Sequence, residues 1–172
     1  MEFYKKNLAW IVQNPVTAAQ QPRVLIITPT PINEYQLQRF DEDKGNVHPT
    51  RTNQRTREYA EAAQEVASSL NVPAVDLWTT FMTAAGWKEG QPLIGSREAP
   101  SNEKLASLLT DGTFSRLDCK GNFLTFGEGL HLTAEGYRIV YEEVIKAIRT
   151  NWPDQAPGVL PQVFPPWMEA PK

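Results

Sequence analysis

Apolar residues recur along the chain at two different periods. Tyr4, Leu8, Ile11 and Val12 fall on one face at helical spacing, which predicts an amphipathic helix over 2–13. The run Val24–Ile27 in "RVLIITPTP" is short, continuous and ended by prolines, the pattern of a buried strand opening into a loop. Residues 32–55 are polar and aperiodic, which predicts a long irregular loop; loops of that length are commonly functional or disordered. Tyr59, Ala63, Val66, Ala67 and Leu70 predict a second amphipathic helix, and "VPAVDLW", Val72–Trp78, a second short strand. A short helix is expected at "NEKLASLL". The last helix carries a stripe of Tyr137, Val140, Tyr141, Val144, Ile145 and Ile148, with Thr133 as its N-cap.

Strands alternating with helices imply a parallel sheet between helical layers, an α/β fold. Ligands bind such sheets at the carboxyl ends of the strands. The loops after Ile27 and Trp78 and the turn before the last helix are therefore expected on one face, and His131 sits in that turn. The pattern gives only two strands. A parallel sheet normally has more neighbours, so the chain reads as part of a domain.

Composition narrows the class. A length of 172 residues suits one domain, and 41% hydrophobic with 22% charged residues is ordinary globular usage. A net charge of −3 without a Lys/Arg block argues against nucleic acid and anionic membrane. No apolar run is long enough to span a membrane, and "MEFYKKNLAWIVQNP" is too interrupted for a secretory signal. Cys119 is the single cysteine, which favours a reducing, cytoplasmic setting. Residues 1–150 are expected to form the domain portion. Residues 151–172 combine Pro153, Pro157, Pro161, Pro165, Pro166 and Pro171 with Trp152, Phe164 and Trp167, the composition of an extended strap over its surface.

His131 is the chief candidate for chemistry. Glu128 precedes it by one turn's spacing, and Gly129 permits the turn. An acid so placed can orient an imidazole as general base, while a histidine at a helix entrance can also simply cap or pack. His48 reads as a solvated loop residue, and Asp76 as a group holding a loop or helix end near the site. "FDEDKG" has three acids without matched His or Cys, which argues against a metal site. No glycine-rich phosphate loop follows either strand.

"GLHLTAEGYRIVYEEVIKAI" resembles the last block of the SGNH (GDSL-type) hydrolases, where Asp-x-x-His precedes the C-terminal helix. "RVLIITPTPINEY", "RTNQRTREYAEAAQEVASSLNVPAVDLWTTF" and "NWPDQAPGVLPQVFPPW" are similar to the isoamyl acetate-hydrolysing esterase branch, fungal members in particular. The resemblance covers the chain apart from residues 113–129. It implies a flavodoxin-like three-layer α/β/α fold, of which about three strands would lie upstream of Met1. It also implies serine esterase chemistry on small carboxylic esters, with no metal or organic cofactor. His131 would activate the serine, an acid would orient His131, and hydrogen-bond donors would hold the oxyanion.

Two departures accompany the resemblance. The Gly-Asp-Ser and Gly-x-Asn-Asp blocks of that family are absent. Ser68, Ser69, Ser96, Ser101, Ser107 and Ser115 do not sit beside glycine at a strand-to-helix turn. The family also has Asp where Glu128 stands. Joining "LLTDG", Leu108–Gly112, to Leu130 restores the family pattern with Asp111 in place. Residues 113–129 then read as an insertion, either an in-frame retained intron or a genuine loop. Asp111 and Glu128 are alternatives for the triad acid, and Cys119 has no role on the intron reading. The chain alone is expected to be inactive. The competing readings are a noncatalytic fragment that binds a small ligand or partner, and a truncated gene-model product.

Overall fold

The structure is a computed structural model that describes residues 1–109, 116–117, 123–124 and 129–160. The chain runs α1 (Glu2–Gln13), α2 (Pro15–Ala19), β1 (Ile26–Ile27), α3 (Glu34–Asp43), α4 (Asn53–Ser69), β2 (Ala74–Val75), α5 (Leu77–Ala84) and α6 (Glu103–Leu108). Then come β3 (Arg116–Leu117), β4 (Phe123–Leu124), α7 (Ala134–Asn151) and a 3-10 turn at Pro153–Gln155.

β1 and β2 pair in parallel, Ile26 beside Ala74 and Ile27 beside Val75. The Ile26 N–H donates to Pro73 O and the Thr28 N–H to Val75 O, each at 3.0 Å. Side chains alternate across a strand, so Ile26 and Val75 face opposite ways. Ile26 packs with Ala63, Val66 and Ala67 of α4 and with Tyr4, Leu8 and Val12 of α1. Val75 joins Trp78, Phe81 and Met82 of α5, Leu105 and Leu108 of α6 and Ile139 of α7. Helices thus cover both faces of a small parallel two-stranded sheet, a mixed α/β arrangement. β3 and β4 form a separate antiparallel pair inside the segment expected to be an insertion.

α1, α4, α6 and α7 form where the pattern predicts them. Residues 32–55 do not stay irregular. They contain α3, capped by Asn33, whose Oδ1 accepts from the Tyr35 N–H at 3.1 Å. Its inward face is Glu34, Leu37 and Asp41, all buried. Two of the three are acids, so apolar periodicity is nearly invisible. The expected strand Val72–Trp78 is also only half right. Asp76 caps α5, its Oδ1 accepting from the Thr79 N–H at 3.1 Å, so Leu77 and Trp78 are already helical.

Thr133 caps α7 as expected, but its predicted stripe meets the core only in part. Gly136 and Ile139 are its buried residues, and Val140 and Ala147 pack partly. Gly136 allows the approach: a Cβ there would stand 2.4 Å from the Leu108 carbonyl oxygen. Tyr137 and Tyr141 remain 61% exposed. Beyond α7, the two terminal guanidinium nitrogens of Arg23 meet the Asp154 carboxylate at 2.6 Å. The guanidinium holds that carboxyl down at about 2. Ala156 is buried, whereas Val159 and Leu160 are exposed; the rest of the expected strap, 161–172, lies outside the described residues.

Candidate functional site

His131 lies in a turn fixed on both sides. Downstream, the Thr133 N–H donates to Leu108 O at 3.0 Å and its hydroxyl to Ser107 O at 2.9 Å. Thr133 Oγ1 accepts from the Gly136 N–H at 3.2 Å, closing the first turn of α7. Leu132 forms an antiparallel bridge with Leu109. Upstream, Gly129 O accepts from the Asn33 N–H at 3.1 Å. Gly129 has φ +55°, and a Cβ there would lie 2.4 Å from Asn33 O, so a side chain is excluded on both counts. The His131 side chain itself is on the exposed surface.

Asn33 begins α3 at the end of the loop that follows β1, so the His131 turn meets the strand-end loop. The end of β2 reaches the same region. The Trp78 N–H donates to Thr28 Oγ1 at 3.3 Å, and the Thr28 hydroxyl lies 3.4 Å from Asp76 Oδ1. These contacts join the loop after β1 to the His131 turn and to the end of β2, where helix α5 stands in place of the loop expected after Trp78.

Polar side chains brace this region from beneath. Asn53, at the start of α4, is fully buried. Its Oδ1 accepts from the Trp78 indole N–H at 3.0 Å and the Ile32 N–H at 3.3 Å, and its Nδ2 donates to Ile94 O at 2.8 Å. Glu34 Oε1 accepts from the Asn53 N–H at 2.8 Å. Gln36 Nε2 donates to Ala106 O and Leu109 O at 3.3 and 3.2 Å. None of Asn33, Gln36 and Asn53 stood out in the sequence. The one available signal was "TNQR", a capping Thr52 ahead of a helix.

The other candidates separate clearly. Asp111, Glu128, Cys119 and Ser115 lie outside the described residues. His48 is exposed between α3 and α4. Asp76 is a helix cap, as expected. Within "FDEDKG", Asp41 is buried and accepts from the Thr50 N–H at 3.1 Å and hydroxyl at 2.7 Å. Ser69 and Ser107 donate to Val66 O and Lys104 O of their own helices. A cleft of about 300 Å³ opens beside Asp76, lined by Thr80, Glu143, Lys146 and Thr150, but His131 does not line it. Glu135, in the first turn of α7, is paired with Arg138, which lowers its carboxyl below the usual value.

No family model matches the chain. Individual proteins do. A GDSL esterase/lipase of Arabidopsis thaliana is 27% identical over 169 residues, 96% of this chain and 55% of that protein. Over most of its length the chain is similar to GDSL esterase/lipases. A second Arabidopsis GDSL esterase/lipase is 27% identical over 168 residues, again 96% of this chain but 42% of its own length. The isoamyl acetate-hydrolyzing esterase of Schizosaccharomyces pombe is 39% identical over 46 residues, 27% of this chain and 19% of that protein. The plant GDSL proteins therefore match far more of the chain than the yeast esterase does. The chain spans about half the length of the plant GDSL relatives it matches.

Proposed function

We propose that these residues are the histidine-bearing part of an SGNH-type carboxylic ester hydrolase acting on small esters. The observation that carries this reading is the His131 turn, joined through Gly129 to the loop at the carboxyl end of β1 in a chain similar to GDSL esterase/lipases. In the proposed enzyme, β1 and β2 belong to a larger flavodoxin-like α/β/α sheet. A serine Oγ attacks the acyl carbon while His131 takes its proton, then returns that proton to the leaving alcohol. Water releases the acyl group by the same relay. Asp111 or Glu128 holds the other imidazole nitrogen. No metal or organic cofactor enters this scheme, and the enzyme is placed in the cytoplasm. The short match to the yeast isoamyl acetate-hydrolyzing esterase supports small esters as the substrate class.

The serine belongs to a Gly-Asp-Ser segment, which this sequence does not contain. A noncatalytic binding fragment is the second reading, favoured by the exposed apolar groups Ile27, Tyr137 and Tyr141. Hydrolysis of a short-chain aryl ester separates the two. The chain alone shows no turnover on either reading. The same residues continuous with a Gly-Asp-Ser segment turn the ester over on the first reading only. Omitting residues 113–129 then raises kcat/KM, and Asp111→Ala removes most of it. Phosphonate-sensitive turnover by the chain alone would reveal a nucleophile within it. Dependence on Glu128 instead of Asp111 would make 113–129 a working loop.

A further inference from the structure

The turn that carries His131 is gripped between two jaws. One is the start of α3, where the Asn33 N–H holds Gly129 O. The other is the end of α6, where Leu108 O takes the Thr133 N–H and Leu109 bridges to Leu132. Gln36 joins the two. It sits in the first turn of α3, and its Nε2 reaches the carbonyls of Ala106 and Leu109. Two carbonyl acceptors fix the amide orientation, because only its NH2 end can meet them. Oε1 is turned the other way, buried and without a hydrogen-bond partner. An orphaned buried acceptor is destabilising, so the arrangement persists only where surrounding contacts dictate it. Gln36 also stands close to the turn: a Cβ on Gly129 would lie 2.9 Å from Gln36 Cβ.

We propose that Gln36 is a positioning residue for His131. It sets the separation of the α3 and α6 jaws, and through them the direction of the imidazole. The inference rests on His131 being the base and adds that a helix remote in sequence governs it. A catalytic group misplaced by about 1 Å loses about a hundredfold in rate, so such a bracket matters to the chemistry. A purely structural tie makes a different prediction: lower stability with the imidazole environment unchanged.

The two histidines give a direct readout. Ring signals of His131 and His48 are recorded by NMR in the full 172-residue chain, with His48 as internal reference. Gln36→Met keeps the side-chain length and removes the donors. Gln36→Asn keeps the NH2 but falls short of the two carbonyls, and is the gentler variant if the first does not fold. In both, the His131 signals are expected to shift and broaden while those of His48 stay in place. In a serine-bearing form, kcat falls about a hundredfold with KM unchanged. His131 signals that superimpose on those of the unsubstituted chain, in a folded variant of lowered Tm, overturn the proposal. The signals are read without turnover, so a failed esterase assay strikes the proposed function and leaves the bracket standing.

Discussion

Around Asn53 the molecule is closed: Leu37, Phe81, Met82 and Leu105 are wholly buried, and the amide of Asn53 is bonded at both ends. Along α7 and β1 it is open: Tyr137 and Tyr141 stand 61% exposed and Ile27 46%. Pattern and burial part company in opposite directions in these two regions. α3 lacks an apolar stripe yet is packed, because Glu34 and Asp41 are buried with partners for their oxygens. α7 has the clearest stripe in the chain, and its two tyrosines face solvent. A stripe states what a helix can bury, and only the neighbours decide how much of it is buried. Under the proposed function, further strands beyond β1 are what the open side receives.

Unfolding in urea should divide the two regions sharply. Phe81→Ala removes a fully buried ring and should cost about 4 kcal/mol. Asn53→Ala strands the Trp78 indole, the Ile32 N–H and Ile94 O, and should cost about 3 kcal/mol. Tyr137→Ala should stay within about 0.5 kcal/mol. Equal costs for Phe81→Ala and Tyr137→Ala would erase the comparison.

Gly129→Ala sharpens it at the boundary, on the closed side. The new methyl meets Asn33 O in a left-handed backbone conformation, so a loss of about 2 kcal/mol is expected, visible as a lowered urea midpoint. On the open side, Tyr137→Glu with Tyr141→Glu should leave Tm nearly unchanged but shift light scattering toward monomer, since exposed apolar patches drive association.

The smallest effect belongs to the exposed Arg23–Asp154 pair. Its folded carboxyl titrates at about 2, below the usual value, so ionisation favours the folded state. That contribution is complete above about pH 4 and fades as pH falls toward 2. Asp154→Asn should therefore flatten the acid limb of the stability curve slightly, in a Tm series from pH 2 to 7.

Much of this architecture was legible. Thr133 as a cap, α1 and α4 follow from spacing and cap chemistry, which act over a few residues, and the parallel pairing follows from the alternation of strands and helices. What was hidden acts at long range. Asn53 bonds to Ile32, Trp78 and Ile94, and no local pattern marks such a partner set. Val72–Trp78 misled because an apolar run suits strand and helix alike, and the cap at Asp76 decides between them. His131 stood out in the sequence as a candidate, and its turn is joined through Gly129 to the loop after β1. The jaws around it, Asn33 and Gln36 against Leu108 and Leu109, come together only in the fold.

The most direct test is kcat/KM for a short-chain aryl ester, measured on a form in which these residues follow a Gly-Asp-Ser segment, with and without His131→Ala. Loss of a triad base costs on the order of 10⁴ to 10⁶ in turnover, and a fall of that size is the predicted result. Turnover that survives His131→Ala within about tenfold would show that the turn between the jaws does not carry the base.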